Sequence, residues 1–146
     1  MRNRVEVMHG VNLSELGRRD PDQYGELSFP ALEQRLGELG RELGLVLRFF
    51  HTNHEGEFVE HLHRLDGLAD AIVLNPGAWT HYSWAIHDAL ELCGLPAVEV
   101  HLSDVAAREE WRRVSVIGDL CVASFSGRGL DGYREGLARL ARELEA

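Results

Sequence analysis

A chain of 146 residues, 45% hydrophobic and 27% charged, has room for one domain around one substantial core and too little for two. Its formal net charge of −9 excludes a broad basic face for nucleic acid or an anionic membrane, so an anionic ligand must be met by a local cluster of cations. All 15 basic residues are arginine, which excludes Schiff-base chemistry through a lysine amine and the Walker phosphate loop.

Val5 to Met8 reads as a short β-run ending at His9-Gly10, and a glycine-punctuated loop follows as far as Tyr24-Gly25. From Ser28 the pattern turns helical, with Leu32, Leu36, Leu39 and Leu43 on one face, Ser28 as N-cap, Pro30 in the first turn and Gly44 as the stop. Leu45 to Phe50 is the second strand, and a second helix runs through Phe58, Val59, Leu62 and Leu65 to Asp66-Gly67. Ala71 to Leu74 is a continuous apolar run, as a buried parallel strand requires, and it stops at Asn75-Pro76-Gly77. A third helix from about Tyr82 to Cys93 ends at Gly94 before Pro96. Ala97 to His101 and Cys121 to Phe125 are the fourth and fifth strands, and Asp131 to Leu144 is a closing helix that aligns Tyr133, Leu137, Leu140 and Leu144. This alternation implies an α/β fold, a parallel sheet with helices on both faces. No apolar run reaches the length of a membrane span and the N-terminus carries no apolar signal region, so a cytoplasmic protein with reduced Cys93 and Cys121 is expected.

In such sheets the ligand site lies beyond the carboxyl ends of the strands. Three polar clusters fall there. The first loop carries Arg18, Arg19 and Tyr24; a free phenol titrates near pH ~10, so a tyrosine acts as a base near neutrality only where a fixed positive charge stabilises its anion. Glu99 lies two residues before His101 on the same side of its strand, a pairing that can hold an imidazole as a general acid or merely satisfy a buried histidine. Ser103 and nearby backbone N–H groups suit a carboxylate, and Asn75 ends the third strand with its amide aimed at the same crevice. His81, read as opening the third helix, and Asp88 share one face two turns apart; Arg108 and Arg112, one turn apart, could clamp an anion or hydroxyls. In isolation each has a plainer reading: a satisfied buried histidine for the His101–Glu99 pair, a turn or cap for Asn75 and Ser103, and solvated surface for His81, Asp88 and the Arg108 to Arg112 segment. His51, His54, His61 and His63 lack a ligand spacing for metal, there is no Gly-x-Ser-x-Gly elbow, and Ser126-Gly127-Arg128-Gly129 lacks the spacing of a dinucleotide loop. Taken together, a tyrosine near arginine and a histidine near glutamate suggest acid-base catalysis without a cofactor or metal.

The collinear order Asn12-Leu13, Leu16-Gly17-Arg18-Arg19, Pro21, Tyr24-Gly25, Asn53-His54-Glu55-Gly56, Asn75-Pro76, Thr80-His81, Asp88-Ala89, Glu99-Val100-His101-Leu102-Ser103 and Arg108-Glu109-Glu110 resembles type II 3-dehydroquinate dehydratase over nearly the whole chain. The resemblance implies a single flavodoxin-like catalytic domain over 1–146, a three-layer sandwich with a five-stranded parallel sheet in the order 2-1-3-4-5, and an active-site lid at 10–27. It implies the trans elimination of water from 3-dehydroquinate to 3-dehydroshikimate in the shikimate pathway. In that pattern Tyr24, as a tyrosinate supported by Arg19, takes a proton from C2; Asn12 with a held water stabilises the enolate; and His101, supported by Glu99, protonates the departing C1 hydroxyl. Asn75, Ser103 and the N–H groups of Leu102 and Ser103 take the substrate carboxylate, His81 and Arg112 hold ring hydroxyls, and Arg108 is a further site or lid partner. Asp88 reaches in from a neighbouring subunit of a dodecamer built of trimers.

The chain departs from this pattern in places. It has His9-Gly10-Val11-Asn12 where the family has Asn-Gly-Pro-Asn, His87 for an arginine beside Asp88, and Ala107 and Val114 for histidines; Gly118 to Gly132 matches only loosely. These leave open a divergent homologue that binds or dehydrates a related cyclic hydroxy-ketone acid, a binding module without turnover, and a histidine-rich metal binder.

Overall fold

Five parallel strands form one sheet: β1 (Arg4–His9), β2 (Val46–His51), β3 (Ala71–Asn75), β4 (Ala97–His101) and β5 (Ala123–Ser126), in the order β2-β1-β3-β4-β5. The computed structural model describes residues 1–145. A short helix α1 (Pro21–Tyr24) lies in the first loop, and α2 (Phe29–Glu42), α3 (Glu55–His63), α4 (Trp84–Cys93) and α5 (Leu130–Glu145) cover the sheet. This is the flavodoxin-like arrangement, whose strand order reverses between β1 and β3.

Alternation along each strand divides the core in two. Val5 and Val7 of β1, Val73 of β3 and Val98 and Val100 of β4 face Leu32 and Leu36 of α2 and Leu137 and Leu140 of α5. Met8, Ile72, Leu74 and Ala97 face the other way, onto Phe58 and Leu62 of α3 and Ile86 and Leu90 of α4. Burying each of these large side chains stabilises the fold by about 1.5–3 kcal/mol, which is why a continuous apolar run such as Ala71–Leu74 is confined to the sheet interior.

Caps set the helix ends. Ser28 Oγ accepts the Ala31 N–H at 3.3 Å, as its expected N-cap role requires. Ser83 Oγ accepts the Ile86 N–H at 3.1 Å and starts α4 at Trp84, two residues later than the periodicity predicts. His81 consequently sits in a 3-10 turn (Gly77–His81) and is not on the helix that carries Asp88, which corrects their expected common face. The second helix stops at His63 rather than Asp66-Gly67, and β5 begins at Ala123 and not at Cys121, whose N–H instead caps the preceding 3-10 turn (Gly118–Leu120) on the Gly118 carbonyl. The long first loop is partly helical, through a 3-10 turn (Leu13–Glu15) and α1, whose N-cap Asp20 accepts the Asp22 N–H at 2.9 Å.

The loops after β1 and β3 are locked together where the strand order reverses. Gly10 N donates to Asn75 O at 2.7 Å, and a Cβ on Gly10 would collide with the Pro76 carbonyl. Gly77 (φ 67°) leaves room for only 2.7 Å between its own Cβ position and Val11 O, so a side chain there would be strained as well as crowded.

Candidate active site

Above this junction lies an open cleft. The first loop contributes Asn12, Arg19 and Tyr24, the β3 end contributes Asn75 and His81, the β4 end contributes His101, Leu102 and Ser103, and the following turns contribute Arg108 and Arg112. Ten of the residues expected from sequence therefore line one cavity, with Glu99 behind His101. Asp88 stands apart: its carboxylate is on the open surface, 72% exposed, paired at 2.8 Å with His87.

Tyr24 is the centre of positive charge. Its Oη accepts from Arg19 Nη2 at 2.7 Å and from Arg108 Nη1 at 2.6 Å, and the Arg19 guanidinium also lies over the ring, 3.9 Å from its centroid. Two guanidiniums therefore converge on one phenol oxygen. Of the two arginines considered for this role, Arg18 is turned away and paired with Glu15 at 2.6 Å. Arg108 Nη1 is also 3.4 Å from Ser103 Oγ, which ties Tyr24 to the carboxyl end of β4. By contrast, burial pushes the Tyr133 phenol up to about 12; the Asn75 amide pulls weakly the other way, although the hydroxyl makes no aligned hydrogen bond.

His101 and Glu99 form the second centre. His101 Nε2 meets Glu99 Oε2 at 2.6 Å, and both residues are buried. Burial, the largest single influence, disfavours the Glu99 carboxylate, yet hydrogen bonds from His101, Thr80 and Ser115 outweigh it and hold the group below its ordinary range. With Nε2 committed to Glu99, Nδ1 is the ring nitrogen left for a ligand. The His81 ring lies 6.3 Å from that of His101 and donates from Nδ1 to Val114 O at 2.7 Å, which leaves Nε2 as an acceptor. Burial pushes the His81 pKa down, only partly offset by that carbonyl.

The polar ends of the cleft are also held. Asn75 Oδ1 accepts the Gly77 N–H at 3.1 Å, so its NH2 is the group left to donate. Asn12 adopts the left-handed conformation (φ 70°) and gives its N–H to Asn53 Oδ1 at 2.8 Å. Arg112 pairs through Nε with Glu109 and stacks on Trp111, 4.1 Å from the ring centroid.

Sequence reasoning missed several contributors. Leu13, Leu16 and Val105 form apolar walls, and Trp111 meets His81 edge-on at 5.3 Å. Thr80, Ser115 and Ser124 surround Glu99 with hydroxyls. Leu13, Leu16 and Thr80 carried a signal, each lying inside a matching motif.

The extra histidine at position 9 is not in the cleft. Its ring is fully buried under Phe29, with Nε2 3.3 Å from Glu33 Oε2. The other histidines scatter too: His61 is pinned by buried Glu6 at 2.6 Å and stacked on Phe50 at 3.7 Å, and His63 is exposed. Among the described residues no three His, Cys, Asp or Glu side chains converge as a metal site would require. Both cysteines are free thiols, and burial pushes Cys121 up to about 12, so neither is an activated nucleophile.

Comparison with known proteins places this geometry. The profile of the dehydroquinase class II family matches residues 3–141. The 3-dehydroquinate dehydratase of Thermotoga maritima is 45% identical over 142 residues, 97% of each chain, and that of Leptothrix cholodnii is 44% identical over 135 residues, covering 91% of this chain and 90% of the relative. The crystal structure of type II dehydroquinase from Propionibacterium acnes superposes with a TM-score of 0.91 at 41% identity, over 97% of this chain and 98% of that one. A fold, a cleft and a family match that each span nearly the whole chain agree: the chain belongs to the class II dehydroquinases, a family of hydro-lyases.

Proposed function

We propose that this chain dehydrates 3-dehydroquinate to 3-dehydroshikimate by trans elimination through an enolate, with Tyr24 as base and His101 as acid. The observation that carries the reading is the Tyr24 oxygen held between Arg19 and Arg108 in the same cleft as the His101–Glu99 pair. The Tyr24 phenolate removes a proton from C2, and the electron pair moves onto the C3 ketone oxygen. Asn12, through a water, stabilises that enolate, the charge-developing step where fixed dipoles are worth most. The enolate then collapses, the C1–O bond breaks, and His101 donates its proton so that water leaves; solvent restores both protonation states.

Three arginines in the cleft of an otherwise acidic chain suit an anionic substrate. Its carboxylate is taken by Asn75, Ser103 and the N–H groups of Leu102 and Ser103, and its ring hydroxyls by His81 and Arg112. Segment 10–27 is the lid, carrying its own base and closing through Arg108. Asp88 completes the site of a neighbouring subunit in a dodecamer of trimers, which accounts for its position outside its own cleft. The reaction needs no cofactor or metal, and the place of action is the cytoplasm.

Incubating purified protein with 3-dehydroquinate and following the ultraviolet absorbance of the conjugated enone tests this. Product formation is expected. Folded protein that binds a shikimate-type ring without forming product would point instead to a binding module, and turnover of another cyclic hydroxy-ketone acid alone would move the substrate.

A further inference from the structure

Ser115 follows the turn that carries Arg112 and lies outside the cleft. Although the residue is at the surface, its hydroxyl turns inward, 2.8 Å from Glu99 Oε1 and 3.1 Å from Glu99 Oε2. The same oxygen accepts the N–H groups of Ile117 at 3.3 Å and Gly118 at 3.0 Å. An oxygen that accepts two backbone donors has one proton left to give, and the carboxylate is its strong acceptor, so the direction of the bond is settled. The loop itself is anchored by Val116 N donating to Thr80 O at 2.8 Å.

The two oxygens of Glu99 are served unequally. Oε2 takes both His101 Nε2 and the Thr80 hydroxyl. Oε1 has Ser115 and, at 3.4 Å, a long contact from Ser124. Without Ser115, Oε1 of a carboxylate only 2% exposed keeps a single long donor, and the orientation of the group rests on the contacts to Oε2 alone.

We infer that Ser115 is a positioning residue for the acid, locking the Glu99 carboxylate in the orientation that presents Oε2 to His101. Its kinetic consequence rests on the dehydratase reading. It acts through Glu99 and touches no substrate, so it belongs to the proton-delivery step and not to binding.

The test is Ser115→Ala in the intact protein, with its fold checked by circular dichroism. We expect kcat for 3-dehydroquinate to fall about 10–100-fold, the usual cost of removing the partner that orients a functional group, with KM changed less than about threefold. Ser115→Thr, which keeps the hydroxyl, recovers most of the loss. In a Glu99→Gln background the Ser115→Ala change costs under about twofold more, because the carboxylate it acts on is gone. Full additivity in that cycle, or a raised KM at unchanged kcat, would overturn the inference in favour of a purely structural loop residue. Should the wild-type protein not turn over 3-dehydroquinate, the functional reading fails by itself. Ser115 is then judged by carbon-13 NMR of the Glu99 carboxyl, whose titration moves upward in Ser115→Ala and not in Ser115→Thr; an unmoved titration overturns the inference.

Discussion

Arg108 Nη1 lies 2.6 Å from Tyr24 Oη, although 84 residues separate them in sequence, and the same oxygen receives Arg19 Nη2 at 2.7 Å. Tyr24 is thus clamped from two sides, by a neighbour in its own loop and by a turn beyond β4.

That clamp predicts the kinetics of three variants. Arg108→Gln and Arg19→Gln should each lower kcat/KM about 10–100-fold, because a hydrogen bond to a charged group is worth ~1.5–3 kcal/mol and each ~1.4 kcal/mol is a factor of ten. Tyr24→Phe should abolish turnover while a ring analogue still binds, measured by calorimetry. An equal loss of binding would make Tyr24 a positioning group and not the base.

Glu99→Gln should reduce kcat about 10–100-fold, with His101 left unsupported. The same variant changes stability with pH. Glu99 is held below its ordinary carboxylate range in the fold, so its contribution is present above about pH 4.5 and is lost as pH falls through the folded value. Thermal unfolding between about pH 6 and 3 should show a steeper decline for the wild type than for Glu99→Gln.

His51 gives an effect of the same sign in a higher pH window. Burial, the largest influence, and the neighbouring His9 push its pKa down, against weaker support from Glu33 and the Gly10 carbonyl. A histidine depressed in the folded state takes up its proton first when unfolded, so its contribution is present above the ordinary value of about 6.5 and is lost as pH falls below it. Melting curves from about pH 7.5 to 5.5 should decline for the wild type and flatten in His51→Gln. An unchanged slope would place the acid sensitivity elsewhere.

At the opposite end of β1, Arg4 donates to both oxygens of Asp70, at 3.1 Å and 3.0 Å, and the Asp70 carboxyl is lowered to about 2, chiefly by that hydrogen bond. Arg4 is half exposed, so solvent screens much of the pair's worth. Asp70→Asn should lower Tm near neutrality by roughly 1–3 °C. The difference from wild type should shrink as pH falls from about 4 toward 2, where the carboxylate protonates in both states.

The fold was legible in the sequence because its signals are local. The leucines of α2 repeat on one helical face, Ala71–Leu74 is apolar without a break, and Ser28 caps the helix it precedes. Where a local cue was ambiguous the boundary moved: Ser83, and not the periodicity after Tyr82, starts α4, and that shift takes His81 off the helix. Most of the cleft was legible too, since Asn75 and His101 end β3 and β4 and Tyr24 lies in the loop that follows β1, where the fold class already directs a ligand.

What sequence alone determined was therefore the order of strands and helices, the residue types at the strand ends and the exclusion of lysine chemistry; each depends on neighbours a few positions apart or on composition. Only the tertiary structure decided that Arg108 and Arg19 share one phenol, that Ser115 and Thr80 grip Glu99 from separate loops, and that His9 lies in the core beneath α2. Those contacts join segments whose spacing carries no periodic signal. A hydroxyl that reaches a carboxylate across the sheet edge is specified by how the whole core packs, and no local pattern records it.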